Sequence, residues 1–174
     1  MVKLIVLAVV SLGIIILSLP SLRNPRSHGF YRFFAFESLL LLILLNIDVW
    51  YLNPFGLFQI MSWILLCSSL GLAIHGFYLL RVIGKPRENF ENTTHLVVVG
   101  AYKLIRHPLY SSLLLLAWGT FLKDCSMSTI LLIAITTIFL FATAKAEESE
   151  NLKKFGPEYA DYVNSTKMFI PYVV

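Results

Sequence analysis

A bundle of membrane-spanning helices is the fold class this sequence predicts, on three observations. The chain of 174 residues is 57% hydrophobic and has a mean hydropathy of +0.76, too apolar for an ordinary water-soluble domain. Its apolar residues fall in blocks long enough to cross a bilayer. The links between those blocks alternate between basic and nearly uncharged, the pattern that the positive-inside rule imposes on a multi-pass chain. The expectation is an all-α transmembrane bundle of about five spans, closed by a C-terminal helical hairpin.

Val2 to Leu22 is the first block. Lys3 ahead of an apolar run is also how a signal peptide begins, but no small-x-small cleavage site follows, so a retained span is expected. The link from Arg23 to Arg32 carries Arg23, Arg26 and Arg32 and no acid. Phe33 to Leu52 is the second block, ended by Asn53-Pro54, and Phe55 to Val82 is the third, flanked by Arg81, Lys85 and Arg87. A long polar segment, Gly84 to Arg106, follows. Pro108 has no backbone N–H and a fixed φ, which suits the first turn of a helix. The residue before a proline is pushed out of the α region, so His107 marks the boundary. That fourth block runs to Phe121. A short polar link (Lys123, Asp124, Ser126) leads to the fifth, Thr129 to Ala146, which continues into water until Gly156-Pro157 ends it. Tyr159 and Tyr162 lie three apart, so they share a face and are expected to rest at the membrane interface. The charged links place the N-terminus outside and the C-terminus in the cytoplasm. The chain reads as one membrane domain, 1–174, with a three-span part (1–83) and a C-terminal part (84–174) that carries the chemistry.

Several function classes drop out. The net charge of +4 comes without a basic tract interleaved with aromatics, so nucleic acid is not an expected partner. Cys67 and Cys125 have neither metal-ligand spacing nor a credible pairing. His95 and His107 lack zinc-site spacing, and no metal is expected. No glycine-rich nucleotide fingerprint is present, so any cofactor must be held by the helices and the cytoplasmic segment. Asn92 and Asn164 match the glycosylation pattern on the predicted cytoplasmic side and read as inert. Ionisable groups within apolar blocks are expensive and often functional. Glu37 is open between that reading and a place beside Arg32 at the interface. His75 is read as a helix-packing hydrogen bonder, and Asp48 as solvated near a helix end.

The chemistry concentrates at Gly100 to Tyr110. Arg106 and His107 fall at the start of an apolar helix, among unpaired N–H groups and the positive end of its dipole, a setting that binds anions. The short link after Phe121 makes the last two blocks antiparallel neighbours. Both arms are roughly 20–30 Å long at 1.5 Å per residue, so their outer ends return to one face. Arg106 and His107 then meet Glu147 and Glu148. Singly, Arg106 is a membrane anchor and the two glutamates a solvated helix end. Together, a basic helix start beside paired carboxylates suits a zwitterionic ligand.

These residues resemble a known family. Gly100-x-Tyr102, Arg106-His107-Pro108-x-Tyr110, Glu147-Glu148, then Phe155-Gly156-x-Glu158-Tyr159-x-x-Tyr162 and a late Pro171 look like the isoprenylcysteine carboxyl methyltransferases. The related phospholipid methyltransferases share much of this pattern, which covers roughly Gly84 to Pro171. The resemblance implies a membrane methyltransferase that uses S-adenosyl-L-methionine and a lipophilic or lipidated acceptor. It implies a cofactor pocket from His95, Leu96, Val97, Gly100, Tyr102, His107, Pro108 and Tyr110, closed by Glu147. Arg106 and Glu148 are the expected catalytic pair, the first to orient an anionic acceptor and the second as a base for an amine.

The chain departs from the family pattern at three places. His95 directly precedes Leu96, where family members often have one residue between. Ser112 stands where a glycine is common. Thr143 stands where isoprenylcysteine enzymes carry an Arg that can hold the acceptor carboxylate. One helical turn before Glu147, Thr143 is expected to look into the same cleft, and Thr143→Arg to improve a carboxylate acceptor. The leading expectation is carboxyl methylation of an isoprenylcysteine-like substrate. Methylation of a phospholipid or other amine, a sterol-reductase-like oxidoreductase and a non-catalytic scaffold are the alternatives.

Overall fold

The structure, a computed structural model, describes residues 1–86 and 93–173. The charge at Arg87 and the glycosylation pattern at Asn92 therefore lie outside the described residues. Each of the five apolar blocks is a helix: α1 Val2–Leu22, α2 His28–Asn46, α3 Leu57–Val82, α4 Pro108–Phe121 and α5 Met127–Phe155, followed by a short α6, Pro157–Ser165. The expected all-helical, multi-pass membrane bundle is what the chain forms.

Four of these helices are long and apolar enough to cross a membrane. The remaining apolar helix, α4, is shorter: its 14 residues reach only about 21 Å at 1.5 Å per residue. Pro108 fixes where α4 begins, and an extended segment, not a further helical turn, leads into it. α2 also begins earlier than Phe33. The carboxylate of Glu150, from α5, accepts the His28 backbone N–H at 3.0 Å and meets the His28 ring Nδ1 at 2.6 Å. That anion at the positive end of α2 lets the helix start within the basic link.

Consecutive helices run antiparallel. Lys3 pairs with Asp48 across α1 and α2. The Ser38 and Thr136 hydroxyls lie 2.9 Å apart across α2 and α5. Lipid tails are as apolar as leucine, so membrane helices associate through small residues and hydrogen bonds more than through hydrophobicity. The sequence supplies two such seams at seven-residue spacing. On α3, Ser62 donates to Gly119 O at 2.6 Å, Ser69 donates to Ser112 O at 2.7 Å, and Gly76 lies against Pro108 and Leu109. On α5, Thr129, Thr136 and Thr143 are all buried, and the last two return their hydroxyls to carbonyls one turn back, at 2.8 and 2.7 Å.

Glu37 belongs to the α1–α2 seam, where the Ser11 hydroxyl lies 2.9 Å from both of its oxygens. At the Lys123 end of the bundle, the link expected to be merely polar is anchored. The buried Lys123 donates to Gln59 Oε1 at 2.9 Å and lies 3.8 Å from the Trp63 ring centre. Cys67 and Cys125 are free thiols. Met1 and α6 lie at opposite ends of the bundle, and the candidate site occupies the α6 end.

Candidate active site

Two backbone devices build the site. α5 ends at Gly156, whose φ of +59° is a conformation glycine adopts without strain; Pro157 then starts α6, which turns back over the bundle. After α6 the chain becomes extended and runs beside the segment that enters α4. Arg106 N–H donates to Lys167 O at 2.7 Å, His107 N–H to Met168 O at 3.2 Å, and Lys167 N–H to Leu104 O at 3.2 Å. Phe169 is buried there, packing with Tyr110, Leu140 and Met168 in one core cluster.

The structure brings Arg106, His107, Tyr110, Glu147 and Glu148 together, as the antiparallel hairpin predicts, but it separates the two glutamates. Successive helical residues point about 100° apart, so they cannot share a target. Glu148 is held between two cations, its Oε1 2.7 Å from Arg106 Nε and its Oε2 3.1 Å from Lys145 Nζ, and the His107 ring Nε2 lies 3.6 Å from Oε1. The Arg106 Nη1 also donates to the carbonyls of Val163 and Thr166. Glu148 does not line the cleft, and a carboxylate engaged by cations on both oxygens is a poor proton acceptor. The expected role of Glu148 as a catalytic base is corrected accordingly: it clamps Arg106 to α6 and the returning chain.

Glu147 does line the cleft. Tyr110 donates to its Oε2 at 2.6 Å, and Asn151 Nδ2 stands 3.5 Å from its Oε1. The cavity encloses about 290 Å³. Leu96, Val97, Tyr102, His107 and Tyr110 line it. Pro108 is fully buried behind it. Gly100 lies outside the wall with a φ of +59°, and a Cβ there would stand 2.7 Å from His75 Nε2. His75 itself lies 3.4 Å from the Ala101 N–H, so it anchors the turn that carries Tyr102. His95 is exposed and does not reach the cleft.

Thr143 is corrected too. It is 0% exposed, bonds the Phe139 carbonyl and is absent from the cleft wall. The reason is the threonine seam: the seven-residue spacing keeps Thr143 on the packed face of α5, while Glu147 is rotated off it.

The cleft also uses residues that the sequence reading did not assign to it: Thr93, Asn151, Phe155, Tyr159 and Tyr162 near the polar end, and Arg32, Phe36, Ala73 and Phe77 from α2 and α3. Tyr159 and Tyr162 do share a face, with ring centres 5.9 Å apart, but that face covers the site and not the membrane interface. Tyr162 donates to Tyr102 O at 2.6 Å. Burial, with nearby glutamate charge adding to it, pushes the Tyr159 phenol up to about 12. Burial likewise raises Tyr102 and Tyr162. All three remain neutral at physiological pH. Their signal in the sequence was the tyrosine spacing, which does not by itself say which surface receives the rings.

A helical membrane bundle with an ion-paired cleft at one end, polar toward α6 and apolar between α2 and α3, is the class of protein that these features define. The chain belongs to the phospholipid methyltransferase family, whose model matches residues 57–158. Protein-S-isoprenylcysteine O-methyltransferase B of Arabidopsis thaliana is 28% identical to it over 125 residues, 71% of this chain and 61% of that protein. A probable protein-S-isoprenylcysteine O-methyltransferase of Oryza sativa subsp. indica is 31% identical over 88 residues, 50% of this chain and 46% of that protein. Methanethiol S-methyltransferase 1 of Bradyrhizobium diazoefficiens is 32% identical over 71 residues, 41% of this chain and 24% of that protein. The chain thus spans less than two thirds of the length of these relatives.

Proposed function

We propose that the protein is a membrane methyltransferase that uses S-adenosyl-L-methionine and acts on a lipophilic acceptor, by carboxyl methylation of an isoprenylcysteine-like molecule. The observation that carries this reading is one continuous cleft with two characters. Its polar end presents the half-buried Glu147 carboxylate, fixed by Tyr110 and Asn151. Its other end is apolar, between Phe36 of α2 and Ala73 and Phe77 of α3. The polar end fits the proposed cofactor, because a buried carboxylate in a cleft calls for a cation. His107 Nε2, buried without a hydrogen-bond partner, offers a second polar atom at that end. When bound, the cofactor supplies an electrophilic methyl group on a positively charged sulfur.

The chain's own residues orient and exclude water. Glu147 would hold the ligand's ammonium. Tyr102, Tyr159 and Tyr162 close the polar end with neutral rings. Leu96 and Val97 add an apolar wall. A carboxylate acceptor is already ionised at neutral pH, so the reaction needs alignment more than a base. With a carboxylate acceptor the chain's own residues would have no proton to take up, and their task would be to hold the acceptor oxygen in line with the cofactor's methyl group. This agrees with a cleft wall in which Glu148 is committed elsewhere. We also assign the site end of the bundle to the cytoplasmic side, from the alternation of basic and near-neutral links.

The test is a titration with S-adenosylhomocysteine in detergent. The native protein should bind, and Glu147→Gln should weaken binding by roughly 2–5 kcal/mol through loss of the partner of a buried charge. Equal affinity in a folded Glu147→Gln protein would return Glu147 to a solvated helix residue. With a carboxylate acceptor, the transfer rate should stay flat across neutral pH, whereas a rate rising through an amine pKa would assign an amine acceptor.

A further inference from the structure

We propose that the Tyr159 hydroxyl binds the carboxylate of the cofactor's amino-acid end, so that Glu147 and Tyr159 together select an α-amino-acid zwitterion. The inference rests on the methyltransferase reading and gives the polar end of the cleft a second ligand contact. Four tyrosines line the cleft. Tyr110 donates its hydroxyl proton to Glu147, and Tyr162 donates its own to Tyr102 O. Among the described residues, no acceptor takes the hydroxyl proton of Tyr102 or Tyr159.

Asn151 distinguishes Tyr159 from Tyr102. It lies one turn beyond Glu147 on α5, on the same face, and both line the cleft. Its Nδ2 stands 3.5 Å from Glu147 Oε1, and the same amide donates to the Tyr159 phenol oxygen. An amide nitrogen carries two N–H groups, one for each contact. The phenol oxygen accepts from Asn151 and keeps its own proton for an acceptor in the cleft. One amide side chain therefore spans the gap between a carboxylate and a donor hydroxyl. An α-amino acid carries an ammonium and a carboxylate on a single carbon, the complementary pair at a similar separation.

The electrostatics suit a neutral donor. Burial is the main cause that holds the Tyr159 phenol up at about 12, with Glu148 and Glu147 adding to it and Asn151 and Arg106 opposing. The hydroxyl proton is thus present throughout the physiological range. The nearby Arg106 charge offsets part of the repulsion that the two glutamates exert on an incoming carboxylate. A phenol that donates to a carboxylate makes a charge-assisted bond, stronger than one between neutral groups.

The experiment titrates S-adenosylhomocysteine and its decarboxylated analogue, which keeps the ammonium, into the native protein and its variants in detergent. Tyr159→Phe removes one oxygen and keeps the ring. It should weaken S-adenosylhomocysteine binding roughly 10- to 100-fold and leave the analogue within about twofold. Glu147→Gln should weaken both ligands, because both carry the ammonium. Tyr159→His keeps a ring with an N–H donor and should fall between native and Phe; it carries the test should the Phe protein fail to fold. Unchanged S-adenosylhomocysteine affinity in Tyr159→Phe would overturn the proposal. So would equal weakening of both ligands, which marks the hydroxyl as structural, or a loss of carboxylate preference in Tyr102→Phe and not in Tyr159→Phe. Absence of S-adenosylhomocysteine binding to the native protein would overturn the methyltransferase reading itself, and this proposal with it.

Discussion

About 100° of helix rotation separates adjacent side chains, and at Glu147 and Glu148 that rotation divides a cleft-facing group from an architectural one. The sequence places both acids at the right distance from Arg106. Which of them faces the cleft depends on the rotation of α5, which is set further up the helix by Thr129, Thr136 and Thr143. The same seam removes Thr143 from the acceptor's reach. Thr143→Arg, which the family pattern suggests as a gain, should instead drive a guanidinium into a fully packed helix face. We expect a loss of about 3–5 kcal/mol, seen as a lowered unfolding temperature in detergent, with no improvement in methyl transfer. Thr143→Val should be nearly neutral, since the hydroxyl serves only the Phe139 carbonyl of its own helix. A stable and more active Thr143→Arg protein would mean that α5 is rotated differently.

The elements were legible where local chemistry dictates them. Pro108 starts α4, Gly156 ends α5, and the apolar blocks become helices. What the sequence did not disclose was the work of the connecting pieces. The 166–169 segment looks like a tail, yet it pairs with the entry to α4 because Ile105 to His107 are extended and need partners for their N–H groups. Tyr159 and Tyr162 carry the composition of an interfacial anchor and serve instead as a roof. Arg32 reads as part of a basic link because its place in the cleft wall depends on α2 starting early on the Glu150 carboxylate. The turn at Gly100 is a further such piece. A Cβ at its φ of +59°, within 2.7 Å of both His75 Nε2 and Leu79 Cδ1, has no room. Gly100→Ala should cost about 2 kcal/mol or more and displace Tyr102. The measurements are the unfolding temperature and S-adenosylhomocysteine affinity, both expected to fall; a native affinity would show that the turn does not position the pocket.

The orientation of the bundle is testable with a native probe. Cys125 is free and exposed in the link opposite the site end, and so faces outward in the proposed orientation. An impermeant thiol reagent added to intact cells should label Cys125, but not cysteines placed at Ser27 or Asn164. Partial shielding of the thiol from water, with the nearby Asp124 charge, raises the Cys125 pKa, so less thiolate is present at neutral pH than for a cysteine in an unfolded chain. Labelling should be slow near pH 7 and accelerate toward pH 9, and Cys125→Ser should abolish it. Labelling at Asn164→Cys with Cys125 silent would invert the map. The short α4 carries the last consequence. With only 14 residues, it leaves a notch in the slab that its longer neighbours define, and the bottom of that notch is the cleft floor. In the proposed orientation that depth is open to water from above and to hydrocarbon sideways between α2 and α3. Under the proposed function, a hydrophilic donor and a greasy acceptor would meet there with each still in the phase that dissolves it, and neither would bear the partitioning penalty of crossing the boundary.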